Sequence, residues 1–194
     1  NLDRHRTAGY RRGTGKDATI IKWERRRNME NKNCISCWFP ILKRSGVRVP
    51  RTHIIADVDR AILAILDGEV TGPFRALVDA IETAGNNLGW PAFLRGGEYS
   101  GKHRWENTCY LSGPNLIGGN LARLIEAGEC ENMIGFAWDV FAVREFIPPH
   151  QGSFTAFWGK LPIRKERRAF IAPGEVHSII PYWPEETFEY EKDV

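Results

Sequence analysis

Apolar residues recur at helical spacing in three parts of this chain, which predicts three amphipathic helices. The three apolar stripes are Ile35, Phe39 and Leu42; Phe74, Leu77, Val78 and Ile81; and Ile117, Leu121, Leu124 and Ile125. The predicted stops are Gly46, the Asn86–Gly89 segment and Gly128, because Gly and Asn commonly end helices. A further helix is predicted over AILAIL, with either Asp57 or Asp59 as its cap.

Extended segments separate and follow these helices. The predicted extended ranges are 47–57, 91–95, 107–111, 139–147, 153–158, 167–171 and 175–180. Turn sequences such as PPHQG, GKLP and APG lie between the last four, which favours neighbouring antiparallel strands. The sequence therefore predicts an α+β fold, with a helical or mixed N-terminal subdomain followed by an antiparallel sheet.

The composition is that of a globular protein. The chain has 194 residues, of which 42% are hydrophobic and 11% aromatic, enough for a buried core. No apolar run approaches the roughly 20 residues that span a bilayer, and no signal-peptide pattern opens the chain. We therefore expect a cytoplasmic protein with no membrane partner. Cys34 and Cys37 form a single C-x-x-C, and core packing is favoured over a redox or zinc role.

Positive charge is concentrated in the first 28 residues. Residues 1–28 carry nine Lys/Arg and three Asp/Glu, whereas residues 29–194 carry 18 and 21. Such a basic arm could contact nucleic acid. Alternatively, the arm is untranslated upstream sequence and Met29 is the true start, since Glu24–Arg26 can be encoded by a purine-rich ribosome-binding sequence. Two regions are thus expected, the arm at 1–28 and one domain at 29–194, and nucleic acid is not favoured as a partner.

The glycine-rich segment LRGGEYSGKH, residues 94–103, has the composition of a phosphate-binding loop. It matches the Walker A pattern up to His103, which replaces the hydroxyl that would bind magnesium. A Walker A loop leads into a long helix, but HRWENTCYL lacks a helical stripe and is expected to be extended. A glycine-rich lid between two strands fits this segment better.

Four segments in order resemble a divergent clade of the ATP-grasp superfamily, which includes the eukaryotic translation-initiation-factor assembly protein and phage and bacterial relatives. They are SGVRVPRTHII, FLRGGEYSGKHRWENTCYL, VREFIP, and PIRKERRAFI with GEVHSIIPYWPEE. The resemblance covers most of residues 34–186. It implies an ATP-grasp fold that binds ATP and Mg²⁺.

The resemblance also implies which residues contact ATP. The implied ATP-binding residues are Arg95, Ser100, Gly101, Lys102, Glu145, Phe146, Ile147 and Arg168. Lys102 and the two arginines would contact phosphates and are expected to converge in one cleft. The VREFIP linker would bind adenine through its backbone, with Glu145 near the amino group and Phe93, Val143 and Ile147 around the ring. Trp105, Trp158 and Trp183 are expected to be packing anchors.

By resemblance, the activity would be ATP-dependent ligation of a carboxylate to an amine or related nucleophile through an acyl phosphate, with a peptide or protein as a candidate acceptor. The alternative is a non-catalytic, ATP-dependent assembly factor for another protein. The family's acidic and asparagine metal ligands have no match here; Glu185 and Glu186 are candidate oxygens, and no catalytic residue is assigned. The last strands are therefore expected to be missing, which predicts exposed apolar side chains at Ile179, Ile180 and Trp183.

Overall fold

The structure is a computed structural model that describes residues 31–131, 136–148, 154–155, 162–163, 166–172 and 175–184. The α-helices are α1 Ile35–Arg44, α2 Gly72–Leu88 and α3 Ile117–Cys130, and short 3₁₀ helices span Arg60–Asp67, Lys102–Asn107 and Pro114–Leu116. The strands are β1 Thr52–Ile55, β2 Ala92–Gly96, β3 Tyr110–Leu111, β4 Phe141–Glu145, β5 Phe154–Thr155, β6 Pro162–Ile163, β7 Arg167–Ala172 and β8 Glu175–Pro181. The basic arm, Met29 and Trp158 lie outside the described residues.

All strand pairs among the described residues are antiparallel. One sheet has the order β1-β4-β2-β3, and β5 pairs with β6 and β7 with β8 in two separate hairpins. The fold is therefore mixed α+β with antiparallel sheets, as the sequence predicts. No helix in the described part of the chain is both long enough and apolar enough to cross a bilayer.

One face of the four-stranded sheet packs against α2 and α3. Leu94 and Val143, which are paired across β2 and β4, are fully buried there. The helix residues that complete this core include Phe74, Leu77, Ile81, Leu121, Leu124 and Ile125. Because alternate residues of a strand point to opposite faces, the neighbours of Leu94 and Val143 must lie on the other face of the sheet.

Helix α1 packs against that second face of the sheet. Its buried residues Ile35 and Phe39 join Cys34, Val140 and Ala142 in a smaller core. The predicted helix and its buried face are confirmed for Ile35 and Phe39. Leu42 was predicted to share that face, but 37% of its surface is exposed. Cys34 and Cys37 are free thiols, and Cys34 is buried, in line with the packing role expected for it.

Two predicted helices differ in their details. Residues 60–67 form a 3₁₀ rather than an α-helix, and Asp59 is the cap, its carboxylate accepting a 2.9 Å hydrogen bond from the Ala61 amide. Helix α2 continues through both asparagines to Leu88 and ends at Gly89, whose φ is 90°. Asn86 lies inside the helix, and its side chain accepts a 2.9 Å hydrogen bond from the Trp90 indole.

The segment after Lys102 was predicted to be extended, but Lys102–Asn107 is a 3₁₀ helix and the returning strand covers only Tyr110–Leu111. The Thr108 hydroxyl explains the turn. It contacts the carbonyls of Gly101 at 2.7 Å and Arg104 at 3.0 Å, which compacts the chain between them. No apolar periodicity in the sequence reports such a side-chain-to-backbone contact.

The β7–β8 hairpin carries the exposed apolar residues that the sequence predicts near its end. Ile179 and Ile180 are 56% and 43% exposed, so this prediction is confirmed for both. Trp183 is half-buried and packs edge-on against Tyr182, with ring centroids 5.1 Å apart. The exposed apolar side chains of this hairpin are Phe170, Ile171, Val176, Ile179 and Ile180.

Candidate functional site

Two glycines fix the backbone of the loop that follows β2. Gly97 donates to the Val140 carbonyl at 2.7 Å and accepts from the Ile35 amide at 2.9 Å, so the start of the loop is bonded to the residue before β4 and to the first residue of α1. Gly101 has a φ of 59°, and a Cβ there would lie 2.6 Å from a methyl carbon of Leu124. Only glycine fits both restrictions, so Lys102 extends from a defined backbone position.

The Walker A alternative requires Lys102 to begin a long α-helix. Lys102 instead begins a six-residue 3₁₀ segment with a non-helical residue, Arg104, inside it. The short segment provides no aligned row of amides comparable to the N-terminus of a long helix. The geometry therefore favours a loop between strands, in which the lysine side chain rather than a helix end supplies positive charge.

Lys102 and Arg168 come together at the side chain of Tyr182. The ammonium of Lys102 donates a hydrogen bond to the Tyr182 hydroxyl and lies 4.4 Å from the centre of its ring. The guanidinium carbon of Arg168 lies 4.5 Å from the same ring centre. Two cations from segments 66 positions apart thus share one phenol, and we name these three residues the Tyr182 cluster.

Strand register explains why Arg168 reaches Tyr182. Arg168 is directly opposite Ile180 in the β7–β8 pair, and Tyr182 is two residues beyond Ile180. Residues two apart share a face of a strand, so Arg168 and Tyr182 are diagonal neighbours on one face of the hairpin. The Tyr182 amide also donates to the Glu166 carbonyl at 2.8 Å, which holds the aromatic residue close to the hairpin.

The two cations change the acidity of the phenol. The hydrogen bond from Lys102 lowers the pKa of Tyr182, and the charge of Lys102 and the proximity of Arg168 lower it further, whereas partial burial opposes the shift. Trp183 lies beside the cluster, 6.0 Å from the Lys102 ammonium, and its buried indole nitrogen has no hydrogen-bond acceptor among the described residues. The cluster is therefore rich in donors that suit a negatively charged oxygen.

Arg95 has a different neighbour from the one expected. It donates to the carbonyls of Gly96 at 3.0 Å and Gly97 at 3.4 Å, and its contacts within the described residues include neither Lys102 nor Arg168. Burial lowers the pKa of Arg95, and the nearby charge of Arg144 lowers it further. The structure thus brings Lys102 and Arg168 together and pairs Arg95 with Arg144.

Phe146, in the VREFIP segment, belongs to a cluster of four aromatic rings. Its ring centre is 5.8 Å from that of Trp105 and 5.3 Å from that of Tyr110, and Phe93 is 5.7 Å from Trp105. Trp105 is buried in this cluster, as expected of a packing anchor. Phe93 and Tyr110 are paired across β2 and β3, so they share the sheet face opposite α2 and α3.

The remaining predicted residues around the adenine ring occupy separate surroundings. Val143 is fully buried in the core under α2 and α3, so it cannot sandwich a ring together with Phe93, which is on the other face. Its place in the predicted sandwich was therefore wrong, because strand alternation separates the two side chains. Ile147 is 45% exposed beyond the end of β4. Ser100 is half-buried in the loop before Gly101.

Glu145 is bonded to Arg51. Its two carboxylate oxygens accept from the Arg51 amide at 2.9 Å and from the Arg51 side chain at 2.7 Å. The hydrogen bonds from Arg51 lower the pKa of Glu145 below its ordinary value. Arg51 also donates to the Leu88 carbonyl at 2.6 Å, so the ion pair ties β1 and β4 to the end of α2. The structure thus gives Glu145 a structural partner at the end of the VREFIP strand.

The sequence analysis did not predict Tyr182 beside Lys102 and Arg168, or Arg144 beside Arg95. Arg144 is within VREFIP, and its position next to buried Val143 in a strand was a usable signal that it faces the opposite side. Tyr182 had no comparable signal, because its contact with Lys102 joins residues 80 positions apart.

The Mg²⁺ that the family resemblance implies finds no ligand set in the part of the chain that the structure describes. Those residues include no group of three or more His, Cys, Asp or Glu side chains that could hold a metal ion. The candidate oxygens of Glu185 and Glu186 lie outside the described residues.

Comparisons with known proteins give a distant likeness among solved structures. No protein-family model matches the sequence, and no curated protein matches it. Among solved structures, Cdc123 from Schizosaccharomyces pombe is similar with a TM-score of 0.40 and 14% sequence identity, over 65% of this chain and 60% of that chain. The match thus spans about 60% of the length of Cdc123. A likeness this distant leaves the family and the function of the chain to be argued from its own residues.

Proposed function

We propose that this chain is an ATP-binding domain of the ATP-grasp type, in which Lys102 and Arg168 contact the phosphates. The observation that carries the proposal is the Tyr182 cluster, where one hydroxyl oxygen accepts from Lys102 beside the Arg168 guanidinium. A phosphate oxygen is a stronger acceptor for the same two cations than a phenol is. The Tyr182 hydroxyl thus marks the position that a phosphate oxygen takes when ATP binds.

The aromatic cluster supports a position for the base. Phe93, Trp105, Tyr110 and Phe146 form a continuous set of rings, and Trp105 is in the same 3₁₀ segment as Lys102. Aromatic and apolar side chains bind a purine through its flat faces. In the proposal, adenine lies near Phe146 and Ile147, contacts the backbone there, and directs its phosphates towards Lys102.

Titration of the full chain with ATP and with tripolyphosphate tests this proposal. Both ligands are expected to bind and to compete, because they share the phosphate position, and ATP should bind more tightly through its base. The control is titration in added sodium chloride, since non-specific charge contacts to the basic residues of positions 1–28 would weaken steeply with salt. Failure of ATP to bind, or lack of competition by tripolyphosphate, would contradict the proposal.

Tyr182→Phe provides a sharper test, because it removes the hydroxyl and keeps the ring. The phosphate no longer has to displace an internal acceptor of Lys102, so we expect ATP affinity to rise about fivefold, the equivalent of one ordinary hydrogen bond. Tyr99→Phe is the matched control, because Tyr99 packs against Phe136 and Trp138 away from the cluster. A decrease in ATP affinity in Tyr182→Phe would contradict this assignment.

The lowered pKa of Tyr182 adds a dependence on pH. As the pH rises through that pKa, the phenol becomes a phenolate and holds Lys102 and Arg168 more strongly, so wild-type affinity for ATP should fall. The Phe variant lacks the ionising group and should not show this component. The measurement is ATP affinity against pH for the two proteins, at constant ionic strength. Parallel pH profiles for the two proteins would contradict the expectation.

Beyond ATP binding, the proposed reaction is transfer of a phosphoryl group to a carboxylate, giving ADP and an acyl phosphate that an amine then attacks. Lys102 and Arg168 would stabilise the negative charge on the transferred group. Trapping of the acyl phosphate with hydroxylamine, as an ATP-dependent hydroxamate on an acidic peptide, tests this chemistry. ATP binding without hydroxamate formation on any acidic peptide offered would count against a ligase.

The alternative role, an ATP-dependent assembly factor without catalysis, is favoured by the β7–β8 hairpin. Its five large exposed apolar side chains are typical of a surface that contacts another protein. Such a factor would bind ATP through the same cluster and would not form a hydroxamate. The hydroxylamine experiment therefore separates the two roles while leaving the proposed ATP site unchanged.

A further inference from the structure

Arg95 and Arg144 are neighbours on the sheet face opposite α2 and α3. Arg95 is paired with Ala142 across β2 and β4, and Arg144 is two residues after Ala142 on the same strand. The two side chains are therefore diagonal neighbours on one face, within reach of each other. We name them the arginine pair.

No carboxylate in the part of the chain that the structure describes is paired with either member of the arginine pair. Both arginines are half-buried, and the residues directly opposite them on neighbouring strands are Ala142, Phe93 and Thr52. Arg95 donates to two glycine carbonyls, and one of them, that of Gly97, already accepts from the Ile35 amide. Neither arginine has an ion pair with a carboxylate among the described residues.

Arg51, which directly precedes β1, provides a comparison, because its guanidinium has hydrogen-bond acceptors. Its side chain is more exposed than the arginine pair, yet it forms an ion pair with Glu145 and donates to the Leu88 carbonyl. Burial lowers the pKa of Arg144 and of Arg95, and their mutual repulsion adds to the shift for Arg95. Two desolvated like charges destabilise a fold unless an anion offsets them.

We propose that Arg95 and Arg144 together bind a small oxyanion, a carboxylate or a phosphate, at a site separate from the Tyr182 cluster. Two guanidinium groups side by side offer planar pairs of donors that match the two oxygens of such a group. This oxyanion site is additional to the proposed ATP site. Lys102 and Arg168 contact Tyr182, and among the described residues they share no contact with the arginine pair.

If the arginine pair binds an anion, removal of one arginine should stabilise the anion-free protein. Arg144→Met removes one of two repelling charges and keeps an apolar side chain of similar length, so the full chain should melt at a higher temperature without added anion. The same variant should lose the stabilisation that phosphate or succinate gives to the wild type. Arg51→Met, the matched control, breaks an ion pair, so it should melt at a lower temperature and still respond to the anions.

The experiment compares thermal unfolding of the three full-length proteins in sodium phosphate, sodium succinate and sodium chloride at equal ionic strength. A wild-type shift with phosphate alone identifies a phosphate site, a shift with succinate alone identifies a carboxylate site, and a shift with both identifies a site that accepts either oxyanion; each supports the proposal. Arg144→Lys, which keeps the charge and loses the paired donors, should bind the effective anion about tenfold more weakly.

Three outcomes would overturn the proposal. The first is a wild-type melting temperature that is the same in all three salts. The second is an anion shift that survives in Arg144→Met and Arg144→Lys. The third is full competition between the effective anion and saturating ATP, which would place the arginine pair in the nucleotide site. Loss of ATP binding in Lys102→Ala with an unchanged anion shift would support two separate sites, and the proposed ATP function is judged independently by the ATP titration.

Discussion

Replacement of Lys102 by alanine is expected to weaken ATP binding tenfold or more. A hydrogen bond to a charged group contributes about 1.5 to 3 kcal/mol, and Lys102 is the donor to the Tyr182 hydroxyl that marks the proposed phosphate position. Isothermal titration of both proteins with ATP measures the effect. Lys43→Ala is the control, because Lys43 is exposed in the last turn of α1 and carries the same charge. Equal losses in the two variants would show that only net charge matters.

Gly101→Ala is expected to lower the free energy of unfolding by about 2 to 5 kcal/mol. A left-handed alanine costs about 1 to 2 kcal/mol, and overpacking against the Leu124 methyl and the Thr108 side chain adds about 1 to 3 kcal/mol. Urea unfolding measures the loss. Gly46→Ala is the matched control, since Gly46 has a φ of 79° with no atom within 4 Å of a new Cβ. Similar losses in both variants would mean that the Leu124 contact relaxes freely.

Because Gly101 directly precedes Lys102, the same variant should also reduce ATP affinity in the folded protein. The added Cβ must move either α3 or the loop, and movement of the loop displaces the Lys102 ammonium from Tyr182. Gly46→Ala should bind ATP like the wild type. An unchanged affinity in folded Gly101→Ala would show that the position of Lys102 does not depend on this backbone.

The helical part of the fold could be predicted because its signal is local. The stripe of Phe74, Leu77 and Ile81 reports a buried face directly, and all three are buried against the sheet. The type of helix over residues 60–67 could not be predicted this way, since a short run of apolar residues suits a 3₁₀ helix as well as an α-helix. Likewise, the asparagines of α2 were predicted to end the helix because Asn commonly does so, whereas the bond between Asn86 and Trp90 is invisible in the sequence.

Residues of the candidate site could be predicted only where they lie in a recognisable sequence motif. Lys102 and Arg168 were expected to lie together, and the structure places both at Tyr182. Arg95 was expected beside them, but the apolar run before it hides which strand residues face α2 and α3. Once Leu94 is buried on that face, Arg95 must point to the other one, towards Arg144. The bond between Arg51 and Glu145 joins residues 94 positions apart, beyond any local pattern.

The proposed phosphate site is tested most directly by comparing the ATP affinities of Arg168→Ala and Arg167→Ala. The two arginines are adjacent on β7 and both exposed, but they lie on opposite faces of the hairpin, and Arg168 is the one above the Tyr182 ring. The loss of charge is identical, so non-specific attraction of ATP changes equally in both. We predict a loss of about tenfold for Arg168→Ala and wild-type affinity for Arg167→Ala. Equal affinities in the two variants would contradict this prediction.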